Sequence, residues 1–290
     1  MKVLVWDFVA PEVGPQKGPT CWAYSGLMLC AYHNVNPDFT NRVKALADAH
    51  TSLSAQHFQV HGKKKSSFSC TEIAEELNKS ANLGHKSFGA ELAIMAEDSP
   101  HRFDLLRKAL SECKTVEIKP WDITGVKEAL EMNGPFYVST AGLRPVTAMS
   151  KKGELFTAYD TGLHWIITNA TNHAALASYT GGPHAVVVVG YEPAGNHVVI
   201  MDPNFGSSTF IAVNWDMFKY SLSRPAGMDG AYTIGLVPSC SELGDARLVE
   251  KNLPDLPLEE VDICNVRTLV DPNHPKYDEH TEKLAKIIGS

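Results

Sequence analysis

Cys21 opens an apolar, helix-like run, Thr20-Cys21-Trp22-Ala23-Tyr24-Ser25-Gly26-Leu27-Met28-Leu29, with Gln16 five residues ahead of it. A cysteine in the first turn of a helix sits among free backbone N–H groups at the positive end of the macrodipole. Both favour its thiolate, the form that attacks carbonyls. Cys21 is therefore a candidate nucleophile. A nucleophile of this kind needs a base, and His184 supplies one: it follows Gly181-Gly182-Pro183 and begins Ala185-Val186-Val187-Val188-Val189-Gly190-Tyr191, a β-branched run that reads as a strand. A turn-like Pro193-Ala194-Gly195-Asn196 separates it from a second strand, His197 to Asp202, which ends in Asp202-Pro203-Asn204. In a hairpin that pairs Tyr191 with His197, His184 falls opposite Asn204; a shifted register sets it opposite Asp202. The two candidates are two residues apart and face the same side. Thiol, imidazole and an acceptor that orients the imidazole are the parts of covalent acyl transfer.

The order Gln16, Cys21-Trp22-Ala23, His184-Ala185-Val186 with Gly190-Tyr191, then Asp202-Pro203 resembles the papain-like cysteine peptidases. It is most similar to the bacterial branch near the bacteriocin-processing and plant-pathogen effector peptidases, in which an Asp commonly replaces papain's Asn. The motifs span about residues 11 to 220. The resemblance implies Gln16 as an oxyanion-hole donor, Cys21 as nucleophile, His184 as general base and acid, and Asp202 as orienter, with Asn204 the alternative orienter. It also implies an α+β, papain-like fold: a helical lobe over about 15–134, an antiparallel β lobe over about 135–237, and the site in the cleft between them. Residues 238–290 are left as an acidic extension.

Two departures are informative. Gly18-Pro19-Thr20 stands where the plant and lysosomal enzymes carry an extra disulfide-forming cysteine. His184 also follows Cys21 at a longer interval than the roughly 130 to 150 residues usual for papain and the cathepsins. An insertion between Ala141 and Pro183 accounts for the difference, and such a long connection is expected to line or cover the cleft.

The elements that must hold these residues change type midway along the chain. Phe39 to His50 has mixed polarity at helical spacing. Ser69-x-x-Glu72 forms a capping box ahead of a helix from Cys70 to Lys79. Ser99-Pro100 reads as an N-cap with Pro at the first helical position, before a helix from about His101 to Cys113. Another helix, about Gly125 to Met132, stops at Asn133-Gly134-Pro135. The first half is thus expected to be helical. From Phe136 onward the runs are short and strand-like: Phe136-Ser139, Trp165-Thr168, the His184 hairpin, Thr209-Val213 and Ala231-Val237. The tail carries an expected amphipathic helix around Tyr277 to Ile288, read as a strap across the core.

Composition bounds the rest. The chain has 290 residues, 44% of them hydrophobic, enough for one large core or two modest lobes. A formal net charge of −7 argues against a general nucleic-acid binder, which needs clustered Lys and Arg; Lys63-Lys64-Lys65 reads as a solvated loop. Asp7 interrupts what would be the apolar stretch of a signal peptide, and no run is long enough to span a bilayer. No membrane partner is expected. The six cysteines, at 21, 30, 70, 113, 240 and 264, are scattered without a C-x-x-C pair, which favours free thiols over a disulfide framework or a zinc site. The histidines show no paired metal-ligand spacing, so neither metal nor cofactor is expected. His164, before Trp165, is the next candidate base.

The expected activity is that of a cysteine endopeptidase acting on a protein substrate. By analogy with the bacterial branch, it is an effector or toxin made in the cytoplasm without a conventional signal peptide and delivered into a target cell, with an immunity, adaptor or secretion-system protein as the further partner expected. Glutamine deamidation or transglutamination and peptidoglycan hydrolysis use the same triad and are the alternatives. A catalytically silent binding module is the reading from another class.

Overall fold

The computed structural model describes residues 1–7, 16, 21–33, 39–63, 65, 68–97, 113–140, 143–149, 155–160, 165–167, 184–205, 209–222, 232–238 and 247–253. They form an α+β fold around a curled antiparallel sheet. The elements in chain order are β1 (Lys2–Asp7), α1 (Cys21–Tyr32), α2 (Phe39–His61), α3 (Cys70–Lys79), α4 (Leu83–Glu97), β2 (Cys113–Ile118), α5 (Ile123–Asn133), β3 (Phe136–Thr140), β4 (Arg144–Met149), β5 (Leu155–Asp160), β6 (Trp165–Ile167), β7 (His184–Tyr191), β8 (His197–Met201), β9 (Ile211–Asn214), α6 (Trp215–Ser221), β10 (Tyr232–Pro238) and β11 (Arg247–Asn252).

β7 is the centre of the sheet. It pairs with β3 along 184–188, with β8 along 187–191 and with β1 over Gly190 and Tyr191. All eight of its residues are buried, because apolar layers cover both faces. Alternation sends Ala185, Val187 and Val189 to one core with Val199 and Met201 of β8, where they join α1 to α4. Val186 and Val188 go to the other with Val198 and Ile200, against α5 and α6. The continuous valine run thus reads as a strand buried on both sides.

Local chemistry sets the helix ends. Ser69 and Glu72 form the capping box expected ahead of α3. α5 starts at Asp122, whose carboxylate accepts from the Thr124 and Gly125 N–H groups, and stops at Gly134, whose φ of 70° suits glycine. α1 is apolar all round rather than amphipathic, and Trp22, Ala23, Tyr24, Met28, Leu29, Cys30 and Tyr32 are all buried.

The structure corrects several expectations. The first half is not wholly helical: β1 and β2 come from it, and β2 pairs with β10. Cys113 begins β2 instead of ending a helix; residues 101–112 of that expected helix lie outside the described residues, as do Ser99-Pro100 and the tail helix at 277–288. β11, beyond residue 238, runs antiparallel to β1 over six paired residues and so belongs to the main sheet. Within the stretch 141–183, β4, β5 and β6 form a separate three-stranded antiparallel sheet, and β6 lies against β9 and α6.

The hairpin register also differs from the expected one. Tyr191 pairs with Val198, not His197, and a bulge between Val188 and Gly190 restores Val188 opposite Ile200 and Val187 opposite Met201. Gly190 follows the bulge and lies where β1 comes closest to β7. A Cβ at this position would lie 2.2 Å from the Leu4 carbonyl oxygen of β1.

Candidate functional site

α1 brings the thiol and β7 brings the imidazole. Cys21 is the first residue of α1 and packs, partly buried, against the first core. His184 is the first residue of β7 and is 1% exposed. The two side chains lie near enough to act on each other electrostatically at the point where strand and helix begin.

Ala185, next to the histidine, locks this approach. Its carbonyl accepts from the buried Ser25 hydroxyl at 3.0 Å, and its backbone lies near enough to Cys21 to help lower the thiol. Cys21 and Ser25 are four residues apart on α1 and so face the strand together. The paired residues of β8 reach only to Val187, and beyond them the helix takes over this edge of β7. Thr140 of β3 holds the other side, its hydroxyl donating to the His184 carbonyl at 2.8 Å.

β8 ends at Met201, and Asp202 opens a turn closed by the Phe205 N–H donating to the Asp202 carbonyl at 2.9 Å. Extended past the strand end, the observed register would set His184 opposite Asn204. The turn brings both candidates to the same ring nitrogen: His184 Nε2 lies 2.8 Å from Asp202 Oδ1 and 3.2 Å from Asn204 Nδ2. The two contacts are not equivalent. A proton on Nε2 can be donated to the carboxylate but not to an amide N–H, and a charge-assisted bond is roughly twice as strong as a neutral one. Asp202 is therefore the acceptor, and Nδ1 is the nitrogen left for the thiol. Asn204 contributes its backbone N–H to Asp202 Oδ1 at 2.8 Å.

Asp202 has one more partner, which the sequence did not reveal. The hydroxyl of Tyr159, in β5, donates to Asp202 Oδ2 at 2.7 Å, and both residues are wholly buried. No motif marks this tyrosine; the only sequence signal is its position inside the long stretch 141–183.

Gln16 is half-buried, and its N–H donates to the Pro203 carbonyl at 2.8 Å. That bond ties the segment ahead of Cys21 to the turn carrying Asp202. His164 lies outside the described residues.

Burial and charge compete at this pair. Burial alone pushes the Cys21 thiol up, but the hydrogen bond and charge of His184 and the Ala185 backbone outweigh it. The thiol is held below its ordinary range. Burial likewise disfavours a charged imidazole, yet the Asp202 carboxylate and the thiolate raise His184 to about 10. The favoured state is a thiolate facing an imidazolium that is neutralised from behind by a carboxylate.

Other polar side chains near the core have structural partners. His33 Nε2 lies 2.7 Å from the Pro135 carbonyl oxygen, and the Tyr32 hydroxyl donates to Met201 Sδ. Cys21 is a free thiol and Cys30 is buried. Among the described residues no group of three or more His, Cys, Asp or Glu could hold a metal ion, and no helix is long and apolar enough to cross a membrane. No family model, curated protein or solved structure matches the chain.

Proposed function

We propose that this protein is a cysteine endopeptidase of the papain-like kind, with Cys21 as nucleophile, His184 as base and acid, and Asp202 as orienter. One observation carries the reading. His184 is held 2.8 Å from the Asp202 carboxylate, and the same buried ring lowers the Cys21 thiol, which supports the ion pair that acyl transfer needs. The helices α1 to α4 are read as one lobe and the sheet around β7 as the other, with substrate entering between them.

In this mechanism His184 Nδ1 takes the Cys21 proton and the thiolate attacks the scissile carbonyl carbon. The Cys21 N–H and the Gln16 side-chain amide stabilise the oxyanion; the bond from Gln16 to the turn after Asp202 supports that placement. The tetrahedral adduct collapses as the imidazolium protonates the leaving amine. Water, deprotonated by His184, then hydrolyses the thioester and restores the thiol.

The test is a proteome-wide search for new N-termini in cells expressing the protein, beside cells expressing Cys21→Ala. New termini dependent on Cys21 are expected. If targets instead gain only the amide-to-acid mass increment with the chain intact, the acyl-enzyme is serving deamidation and the endopeptidase reading fails.

A further inference from the structure

The stretch 141–183 contributes a side chain that touches neither the thiol nor the imidazole, yet is joined to them through one atom pair. Tyr159 sits in the middle strand of the separate sheet, paired to Pro145 on one side and Ile166 on the other, and is packed into the core below β7. Its hydroxyl meets Asp202 Oδ2 at 2.7 Å. The other oxygen, Oδ1, is occupied twice, by His184 Nε2 and by the Asn204 N–H, each at 2.8 Å.

A carboxylate gripped at one oxygen alone can still rotate about its Cβ–Cγ bond, which swings the acceptor away from the imidazole. A donor on the second oxygen fixes the plane. We infer that Tyr159 is a positioning residue: by holding Asp202 Oδ2 it fixes the direction in which Oδ1 receives the His184 proton. The inference rests on the acyl-transfer reading above and deepens it, since it makes the insertion part of the site's own machinery. A buried tyrosine hydroxyl needs a partner in any case. The question is whether the bond does more than satisfy the hydroxyl.

The groups that face the ring among the described residues are the Cys21 thiol from α1 and, from the turn, the Asp202 carboxylate and the Asn204 amide. The experiment follows Cys21 alkylation by iodoacetamide against pH in the full chain, subtracting the background given by Cys21→Ser. Wild type is compared with Tyr159→Phe, which keeps the ring and deletes only the hydroxyl, and with Asp202→Asn and the double variant. Positioning predicts that Tyr159→Phe narrows the ion-pair window from both ends, the acid limb moving up and the alkaline limb moving down. Peptide turnover should fall roughly tenfold or more, the scale of one hydrogen bond lost from a charged group. In the Asp202→Asn background the same change should add nearly nothing, because Tyr159 acts through the carboxylate.

A folded Tyr159→Phe with unmoved limbs would overturn the inference and leave the acyl-transfer reading intact. So would a widened window, since the hydroxyl would then only be drawing charge from the carboxylate. A wild-type profile with no acid-side limb belonging to Cys21 would overturn both. Circular dichroism confirms the fold. Should Tyr159→Phe be unstable, the titration of the His184 imidazole by NMR in Cys21→Ser, with and without Tyr159→Phe, reads the alkaline limb at low temperature. A drop again supports positioning, and no drop refutes it.

Discussion

His184 Nε2 and Asp202 Oδ1 lie 2.8 Å apart with neither side chain exposed to solvent, so an imidazolium formed here would have the Asp202 carboxylate as its counter-ion among the described residues. Removing one partner of a buried pair typically costs about 3–5 kcal/mol, mostly the penalty of the stranded charge. Asp202→Ala should therefore lower turnover strongly and also lower stability, because the Asn204 N–H and the Tyr159 hydroxyl lose their acceptor as well. Asp202→Asn keeps an acceptor oxygen and should retain part of the activity. Asn204→Ala should keep most of it, since the Asn204 backbone N–H survives. Turnover of one peptide by the three variants, with denaturant melts, checks the order; a dead Asn204→Ala beside an active Asp202→Ala would reassign the orienter.

The shifts at the thiol and imidazole set a pH window. A raised imidazole value means that the folded protein binds that proton more tightly than the unfolded chain does. Its contribution to stability is complete below the ordinary imidazole value, about 6.5, and disappears as the pH rises through about 10. The lowered thiol works in the opposite sense: its contribution is present above the ordinary thiol value and is lost as the pH falls through the folded one. Activity needs both charges, so kcat/KM should be bell-shaped, with an acid limb below that of a free thiol and an alkaline limb near 10. His184→Ala should move Cys21 alkylation to the alkaline range of an unassisted buried thiol. If alkylation by wild type and His184→Ala coincide, the ion pair does not exist.

Much of this site was legible because its signals are local. An apolar run behind Cys21 and a valine run behind His184 fix a helix start and a strand start, and Ser69 with Glu72 declares the start of α3. Tyr159 was not legible, since its role lies in a bond to a residue in another sheet and nothing near it in sequence marks the partner. β11 was hidden by its composition: Arg247-Leu-Val-Glu-Lys-Asn is a half-exposed edge strand whose charges read as tail. β1 shows a continuous apolar run, but its pairing with β7 brings together residues far apart in the chain and relies on a close approach at Gly190 that no periodicity announces. α4 carries two glycines and no clear apolar stripe, and α6 is only seven residues long. The stretch 141–183 stood out by its length; its three-stranded sheet did not.

Ser25 should matter more than its distance from the chemistry suggests. Its hydroxyl is the buried tie from α1 to the Ala185 carbonyl, one turn behind the thiol. Ser25→Ala leaves that carbonyl without its donor, at a cost of roughly 1–3 kcal/mol. It also frees the first turn of α1 to shift against β7. The expected outcome is a lower melting temperature together with slower Cys21 alkylation at neutral pH, whereas Ser25→Thr should recover part of both. Lower stability with unchanged alkylation would show that the tie holds the fold but not the thiol.

The last expectation concerns Gly190, where the sheet is tightest. Its Cα faces β1 so closely that a methyl group would meet the Leu4 carbonyl oxygen at 2.2 Å, Val5 Cγ1 at 2.8 Å and the Val5 Cα at 2.9 Å. Two of these three atoms are backbone, so no side-chain rotation relieves the clash; β1 itself must move. β1 also carries β11 on its far edge, and Met1 and Leu253 are joined there by backbone hydrogen bonds. Gly190→Ala should therefore loosen both strands at once. Overpacking a well-filled site commonly costs about 1–3 kcal/mol, and this site belongs at the upper end because the obstacle is main chain. The check is urea unfolding with hydrogen exchange: the midpoint should fall, and the amides of β1 and β11 should lose protection before those of β7 and β3. If β1 keeps its full protection in a destabilised Gly190→Ala, the strain is relieved elsewhere, and the close approach of Leu4 is not what requires glycine at this position.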